Sequence, residues 1–189
     1  MTETLKRVWL VFFDIIQTVV LALAIFMIAY LFVLQPHQVK GLSMFPNFED
    51  KEYILTEKVS YRFGKPHRGD VIVFQAPVNR KDDYIKRILG LPGETVAVID
   101  GKVFVNDKPL PEPYLPPEFR TQAGAFLAEG KRFTLGPGEF FVSGDNRDHS
   151  SDSRAWGPIK KSDIVGRAWV AYWPPQKSGA IPKVNYAGF

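Results

Sequence analysis

Three parts of this chain carry residues that could do chemistry together: a serine, a lysine and a polar cluster. The serine, Ser43, sits in Gly41-Leu42-Ser43-Met44-Phe45-Pro46, where Gly41 and Pro46 favour a turn. Apolar Leu42, Met44 and Phe45 flank it without alternation, which is unlike a solvated linker. The lysine, Lys86, lies in Asp83-Tyr84-Ile85-Lys86-Arg87-Ile88. Read as a strand, this segment puts Tyr84, Lys86 and Ile88 on one face and Ile85, Arg87 and Leu89 on the other. One of the two basic residues must then point into the apolar core or a cleft. The cluster runs Gly144-Asp145-Asn146-Arg147-Asp148-His149-Ser150-Ser151-Asp152-Ser153-Arg154.

A serine hydroxyl becomes a nucleophile when a nearby base takes its proton. An ordinary lysine, with a pKa of about 10.4, is neutral in only about 1 molecule in 2,500 at pH 7, a cost of about 4.6 kcal/mol. Burial can lower that pKa by up to about 3–5 units, which removes most of the cost. A buried Lys86 could therefore serve Ser43 as general base. The plain alternative is an edge-strand lysine whose ammonium reaches water. A serine–histidine–aspartate arrangement through His149 and Asp152 is the other rival. Against it, Gly41-Leu42-Ser43-Met44-Phe45 lacks the second glycine of a nucleophile elbow, and no helices of an α/β hydrolase follow. His37 and His67 lie in membrane-proximal or turn-like surroundings. The acidic spacing of the cluster fails as a calcium loop: Arg147 stands third from Asp145, and Ser153 stands where glycine is required from Asp148. The chemistry calls for no metal and no cofactor.

These groups need elements to hold them. Residues 15–34 are twenty without a charge, enough for a helix of about 30 Å, the thickness of a bilayer's hydrocarbon core. Such a run reads as an uncleaved anchor. A buried helix would show a polar stripe, and a signal peptide would end in a small-x-small cleavage site. Lys6 and Arg7 precede it, and only Lys40 follows within fifteen residues, which favours a cytoplasmic N-terminus. Beyond Pro46 the pattern changes to short segments rich in Val, Ile, Tyr and Phe. Residues 52–56, 70–75, 84–89, 95–99, 103–105, 140–143 and 164–173 read as strands, and Asp100-Gly101 reads as a tight hairpin turn. Five prolines within 109–117 predict an extended surface loop, and the chain from Pro174 on predicts a loosely held tail. The expected fold is mainly antiparallel β, with a single transmembrane helix in residues 1–34 and one β-rich domain in 35–189.

Without cysteine, disulfides, thiolate nucleophiles and cysteine-ligated zinc are excluded. The net charge is +4, none of it from residues 1–34, and the basic residues are scattered. Nucleic acid is thus a poor partner, and anionic lipid headgroups a better one.

Taken in order, these motifs resemble the bacterial type I signal peptidases, membrane-bound serine–lysine endopeptidases. The match runs through the anchor, Ser43-Met44-Phe45-Pro46, Arg68-Gly69-Asp70-Val71-Ile72-Val73-Phe74, Tyr84-Ile85-Lys86-Arg87 with Gly90-Leu91-Pro92-Gly93-Glu94, then Gly144 to Arg154. The resemblance implies that Ser43 is the nucleophile and Lys86 the base. It implies that Ser150 orients the lysine, that Asp152 and Arg154 brace the site, and that Tyr84 precedes the lysine on its strand. Gly41, Met44, Pro46, Asp145 and Arg147 are implied as supporting residues. The implied substrates are secretory preproteins, cut after a small-x-small motif and bound as an added strand. The implied setting is the plasma or inner membrane, with a monomeric catalytic domain on the extracytoplasmic face.

Three departures from the family pattern are visible. Gly41 stands where some members carry a serine, Asn47 where threonine is usual, and His149 where asparagine is common. The stretch before Phe140 is short, so the second β domain of some members is expected to be small or absent. Phe45 and Phe48, close to the helix end, are expected lipid contacts. A self-cleaving regulator would share the chemistry but needs a DNA-binding module. A non-enzymatic tethered scaffold gives no reason for Lys86 or the polar cluster.

Overall fold

The computed structural model of the protein describes residues 3–186. Helix α1 spans Glu3–Phe32, a length of about 45 Å. It starts well before the uncharged run because residues 3–14 contain no glycine or proline and many strong helix formers. Glu3, Lys6, Arg7 and Asp14 shorten the apolar span without breaking the helix. Its best window has a mean hydropathy of 2.5 and nothing in it is buried against protein, so α1 is long and apolar enough to cross a membrane.

The chain leaves the helix earlier than expected. Leu34 opens β1 (Leu34–Gln38), which pairs antiparallel with β2 (Tyr53–Glu57). No apolar alternation announces β1. It survives as an outermost strand, where Pro36 needs no partner on its open side. After α2 (Ser60–Phe63) come β3 (Val71–Gln75), β4 (Asp83–Gly90), β5 (Thr95–Ile99), β6 (Lys102–Val105), β7 (Lys108–Pro109) and β8 (Phe133–Thr134). β9 (Glu139–Ser143), α3 (Ser153–Trp156), β10 (Ile159–Lys160), β11 (Ile164–Trp173) and β12 (Gly179–Ala180) complete the chain.

All pairings are antiparallel. The main sheet runs β1-β2-β11-β3-β4-β9-β10, with β12 on β11. The second β unit is present but small, four strands in the order β7-β6-β5-β8. Its β5–β6 turn is the expected one, with positive φ at both Asp100 and Gly101. Val96, Val98, Val103 and Val105 fill its core with Leu89 and Phe141 from the main sheet. Buried side chains cover both faces of the β3–β4 pair. Val71, Val73 and Ile85 pack with Met44 and Phe48, whereas Ile72, Phe74, Tyr84 and Ile88 pack with Val142 and Trp156. A charged residue on either face of β4 is therefore desolvated.

Two expectations fail. The proline-rich stretch is more than a surface loop: Leu110 is buried in the small core, and Glu112 and Tyr114 turn inward. The stretch 175–186 is held at several points as well, while 187–189 lie outside the described residues. β12 pairs with β11, Ile181 donates its N–H to the Trp169 carbonyl and packs on the core, and the Tyr186 ring lies beneath the Arg68 guanidinium. Its apolar residues are too widely spaced among Pro, Lys and Gly to show a period.

Candidate active site

Ser43 stands on a turn that closes between β1 and β2. The Phe45 N–H bonds the Leu42 carbonyl at 3.1 Å and the Phe48 N–H bonds the Met44 carbonyl at 3.0 Å. Met44 and Phe48 anchor the turn, at 0 % and 4 % exposure. Phe48 is thus unavailable to lipid, contrary to expectation, whereas Phe45 is exposed. Gly41 adopts φ +80°, a conformation that glycine tolerates best, and its N–H donates to Asp50 Oδ1 at 2.7 Å. Pro46 closes the turn. The polar cluster holds it from the other side: Asn146 N–H donates to the Ser43 carbonyl at 3.1 Å. Gly144 makes that approach possible, because a Cβ there would lie 2.4 Å from the Ser43 carbonyl oxygen and 2.3 Å from Ser150 Oγ.

β4 brings Lys86 to the same place, opposite Ile72 in register. Its Nζ lies 2.8 Å from Ser43 Oγ and 2.9 Å from the Ile85 carbonyl, 5.5 Å above the Tyr84 ring centre. Only 4 % of the residue is exposed. Burial pushes the Lys86 pKa down to about 8, while the charges of Asp152 and Asp145 pull it back up and Arg154 adds to the depression. The 2.8 Å contact suits either protonation state: an ammonium donates to Oγ, a neutral amine accepts its proton.

Asp152 caps α3 by accepting the Arg154 N–H, and its carboxylate receives Arg154 Nε at 2.8 Å, Ser143 Oγ at 2.9 Å and the Gly144 N–H at 3.1 Å. Burial alone would raise its pKa, but these bonds, Arg154 first, hold it low. The hydrogen bond implied between Ser150 and Lys86 is not formed. Ser150 Oγ is buried and outside hydrogen-bond geometry to any partner, although it is near enough to Asp152 to help keep that carboxylate ionised. His149 is exposed, whereas Lys86 is the group in contact with Ser43 Oγ.

On the opposite face of β4, the sequence reading missed what Arg87 does. Arg87 is 3 % exposed and forms a bidentate pair with Asp145, at 2.9 Å from Nε and 2.7 Å from Nη2. Burial disfavours its charge, yet Asp145 more than offsets that and raises its pKa. Asn47 extends the network, donating to Asp145 Oδ2 at 2.9 Å and to the Tyr114 carbonyl at 3.0 Å. Arg147 bonds the Gly144 carbonyl through Nε at 3.0 Å, and pairs with Glu112 and Thr121. The proline-rich loop therefore braces the turn that touches Ser43. Two adjacent basic residues in an otherwise apolar strand, which must fall on opposite faces, were the only signal for Arg87, and Glu112 gave none.

A groove of about 760 Å³ leads to Ser43 and Lys86. One wall is β1 with its continuation through Val39 and Lys40, and the other is the start of β4. β4 pairs with β9 only from Arg87 onward, so its first residues present an open backbone edge toward the groove. His37 reaches across, with Nδ1 2.9 Å from Thr56 Oγ1 and Nε2 3.5 Å from Asp83.

A serine hydroxyl held on the amine of a desolvated lysine, on a β scaffold beside an open strand edge, has the form of a serine-type hydrolase. Residues 12–173 match the family described as signal peptidase, peptidase S26. Signal peptidase I of Leptolyngbya laminosa is 37% identical over 179 residues, covering 89% of this chain and 82% of the relative. Signal peptidase IB of Staphylococcus aureus (strain COL) is 35% identical over 170 residues, covering 84% and 88%. The crystal structure of a signal peptidase I from Enterococcus faecalis V583 superposes with a TM-score of 0.44 at 31% identity, covering 55% of this chain and 96% of that one. The chain belongs to the signal peptidase family, peptidase S26, and is a hydrolase of the signal peptidase type.

Proposed function

We propose that the protein is a membrane-anchored endopeptidase that removes signal peptides from secretory preproteins after a small-x-small motif, with Ser43 as nucleophile and Lys86 as general base. The observation that carries this reading is the 2.8 Å contact between Ser43 Oγ and the Nζ of a lysine that is 4 % exposed. Neutral Lys86 takes the Ser43 proton as Oγ attacks the scissile carbonyl. The Ser43 N–H, which has no acceptor among the described residues, stabilises the developing oxyanion. The ammonium then protonates the leaving amine, and the same lysine activates the water that releases the acyl group. Asp152, Asp145 and Arg154 set the field at Lys86, Ser150 supports it through Asp152, and Asp145 and Arg147 hold the turn that carries Ser43. The substrate adds as a strand along the open edge of β4, facing β1.

Residues 1–34 act as the anchor and residues 35–189 as the catalytic domain. Lys6 and Arg7 keep the N-terminus in the cytoplasm and the site on the extracytoplasmic face, with the protein a monomer in the plasma or inner membrane. The test is incubation of the full chain in lipid with a preprotein, parent against Ser43→Ala, followed by N-terminal sequencing of the product. A single new N-terminus after a small-x-small motif, absent with Ser43→Ala, is expected. Cleavage retained by Ser43→Ala would refute the reading.

A further inference from the structure

A second concavity, of about 510 Å³, lies between α2, the turn at His67–Asp70 and the C-terminal strap, and the peptidase chemistry makes no use of it. Its walls carry Lys65, His67, Arg68, Arg167 and Lys183 against one carboxylate, Asp70. That carboxylate is engaged: Oδ2 accepts the Tyr61 hydroxyl at 2.7 Å and the His67 N–H at 2.9 Å. Two of the cations are compensated, Arg68 by Glu94 and Arg167 by Glu57. Lys65 and Lys183 have no carboxylate partner among the described residues. Both are solvent-exposed, so an anion entering the cleft meets two cations that no carboxylate neutralises.

The cleft's position says which anion. The Arg62 guanidinium stacks 5.1 Å over the ring of Phe32, the last residue of α1. Lys58 Nζ donates at 3.2 Å to the Leu31 carbonyl, supplying a cation to a helix whose last turn has none. α2 is thereby tied to the end of the apolar helix through Arg62. The next residue, Phe63, is 89 % exposed, more than any other large apolar side chain among the described residues. An aromatic ring beside the end of a membrane span has a natural place at the headgroup level.

We propose that this cleft binds the phosphodiester headgroup of an anionic phospholipid in the leaflet where α1 emerges. Lys65 and Lys183 are the ligating cations and Phe63 enters the bilayer interface beside them. The proposal rests on the reading of α1 as a membrane span. A soluble phosphate would satisfy the lysines but gain nothing from Phe63 or the helix end. A bound headgroup would fix the tilt of the β domain on the bilayer, and with it the height of the Ser43 groove.

The experiment reconstitutes the full chain into vesicles of equal phosphatidylcholine and phosphatidylglycerol, extracts it in mild detergent and counts retained lipids by native mass spectrometry. The parent is expected to keep phosphatidylglycerol in preference to phosphatidylcholine. Lys65→Gln with Lys183→Gln should weaken that retention about 25-fold, about fivefold for each lysine near an anionic surface. Phe63→Ser should weaken it too, and peptidase rates in detergent should be unchanged in both variants. Equal phosphatidylglycerol retention by parent and double variant would overturn the proposal. So would indifference to headgroup, or displacement of the lipid by an equal concentration of soluble glycerophosphoglycerol. Ser43→Ala should retain lipid like the parent, so failure of the peptidase reading is read separately. Release of the parent from vesicles by alkaline carbonate would instead remove the membrane span on which the proposal stands.

Discussion

Replacing Lys86 with methionine should make the protein inactive and, at neutral pH, more stable, and the pH dependence of the stability difference measures the burial of the lysine. Lys86 is 4 % exposed and its folded pKa is about 8, against 10.5 when solvated. The depressed value means that the unfolded chain binds a proton more readily than the folded one, so stability rises with pH between these two values. The full penalty, 2.5 units at about 1.36 kcal/mol each, is about 3.4 kcal/mol. Linkage then gives methionine an advantage of about 3 kcal/mol at pH 7, about 2 at pH 9 and about 1 at pH 10. Loss of the bonds to Ser43 and Ile85 subtracts a pH-independent offset of about 0.5–1.5 kcal/mol per bond. The slope with pH is therefore the diagnostic quantity. Denaturant unfolding of the full chain in detergent, parent against Lys86→Met at those three pH values, would read it. A stability difference that does not change between pH 7 and pH 10 would refute a desolvated Lys86.

Other outcomes follow from the same geometry. The kcat/KM of the parent should rise about tenfold per pH unit up to about 8 and then level off, because only neutral Lys86 is a base. His149→Ala should keep that limb, and its loss with the histidine would transfer the base role. Gly144→Ala puts a Cβ 2.4 Å from the Ser43 carbonyl oxygen, so kcat should fall about 100-fold with little change in KM; parent-like steady-state kinetics would contradict the close approach. Asp145→Asn leaves Arg87 buried without its charge partner and should cost about 3–5 kcal/mol in denaturant unfolding. It should also move the acidic limb to lower pH, since Asp145 is one of the charges that raise the Lys86 pKa.

What the sequence made legible follows periodicity and turn chemistry. Residues 95–99 and 103–105, hinged on Asp100-Gly101, form the expected hairpin because local alternation and positive φ decide it. The β4 alternation put Lys86 under suspicion, but local pattern could not say that both faces of that strand are covered. Arg87 is consequently as buried as Lys86, and only its bidentate contact with Asp145, fifty-eight positions away, shows why. β1 was hidden because an edge strand with a proline carries no alternation, and its pairing depends on β2 being there. Glu112 was hidden for a related reason: its role exists only once Arg147 arrives from a distant loop. The α1 boundary slipped because charge limits what a bilayer accepts, not what a helix accepts.

The central claim is that a neutral lysine at position 86 removes the proton from Ser43. Arginine keeps the positive charge and some of the reach but cannot give up its proton in any usable pH range. The most direct measurement is preprotein cleavage by folded Lys86→Arg in lipid, followed from pH 6 to pH 10 beside the parent. No cleavage above the Ser43→Ala background at any pH is the predicted result. Turnover within about tenfold of the parent would contradict the account.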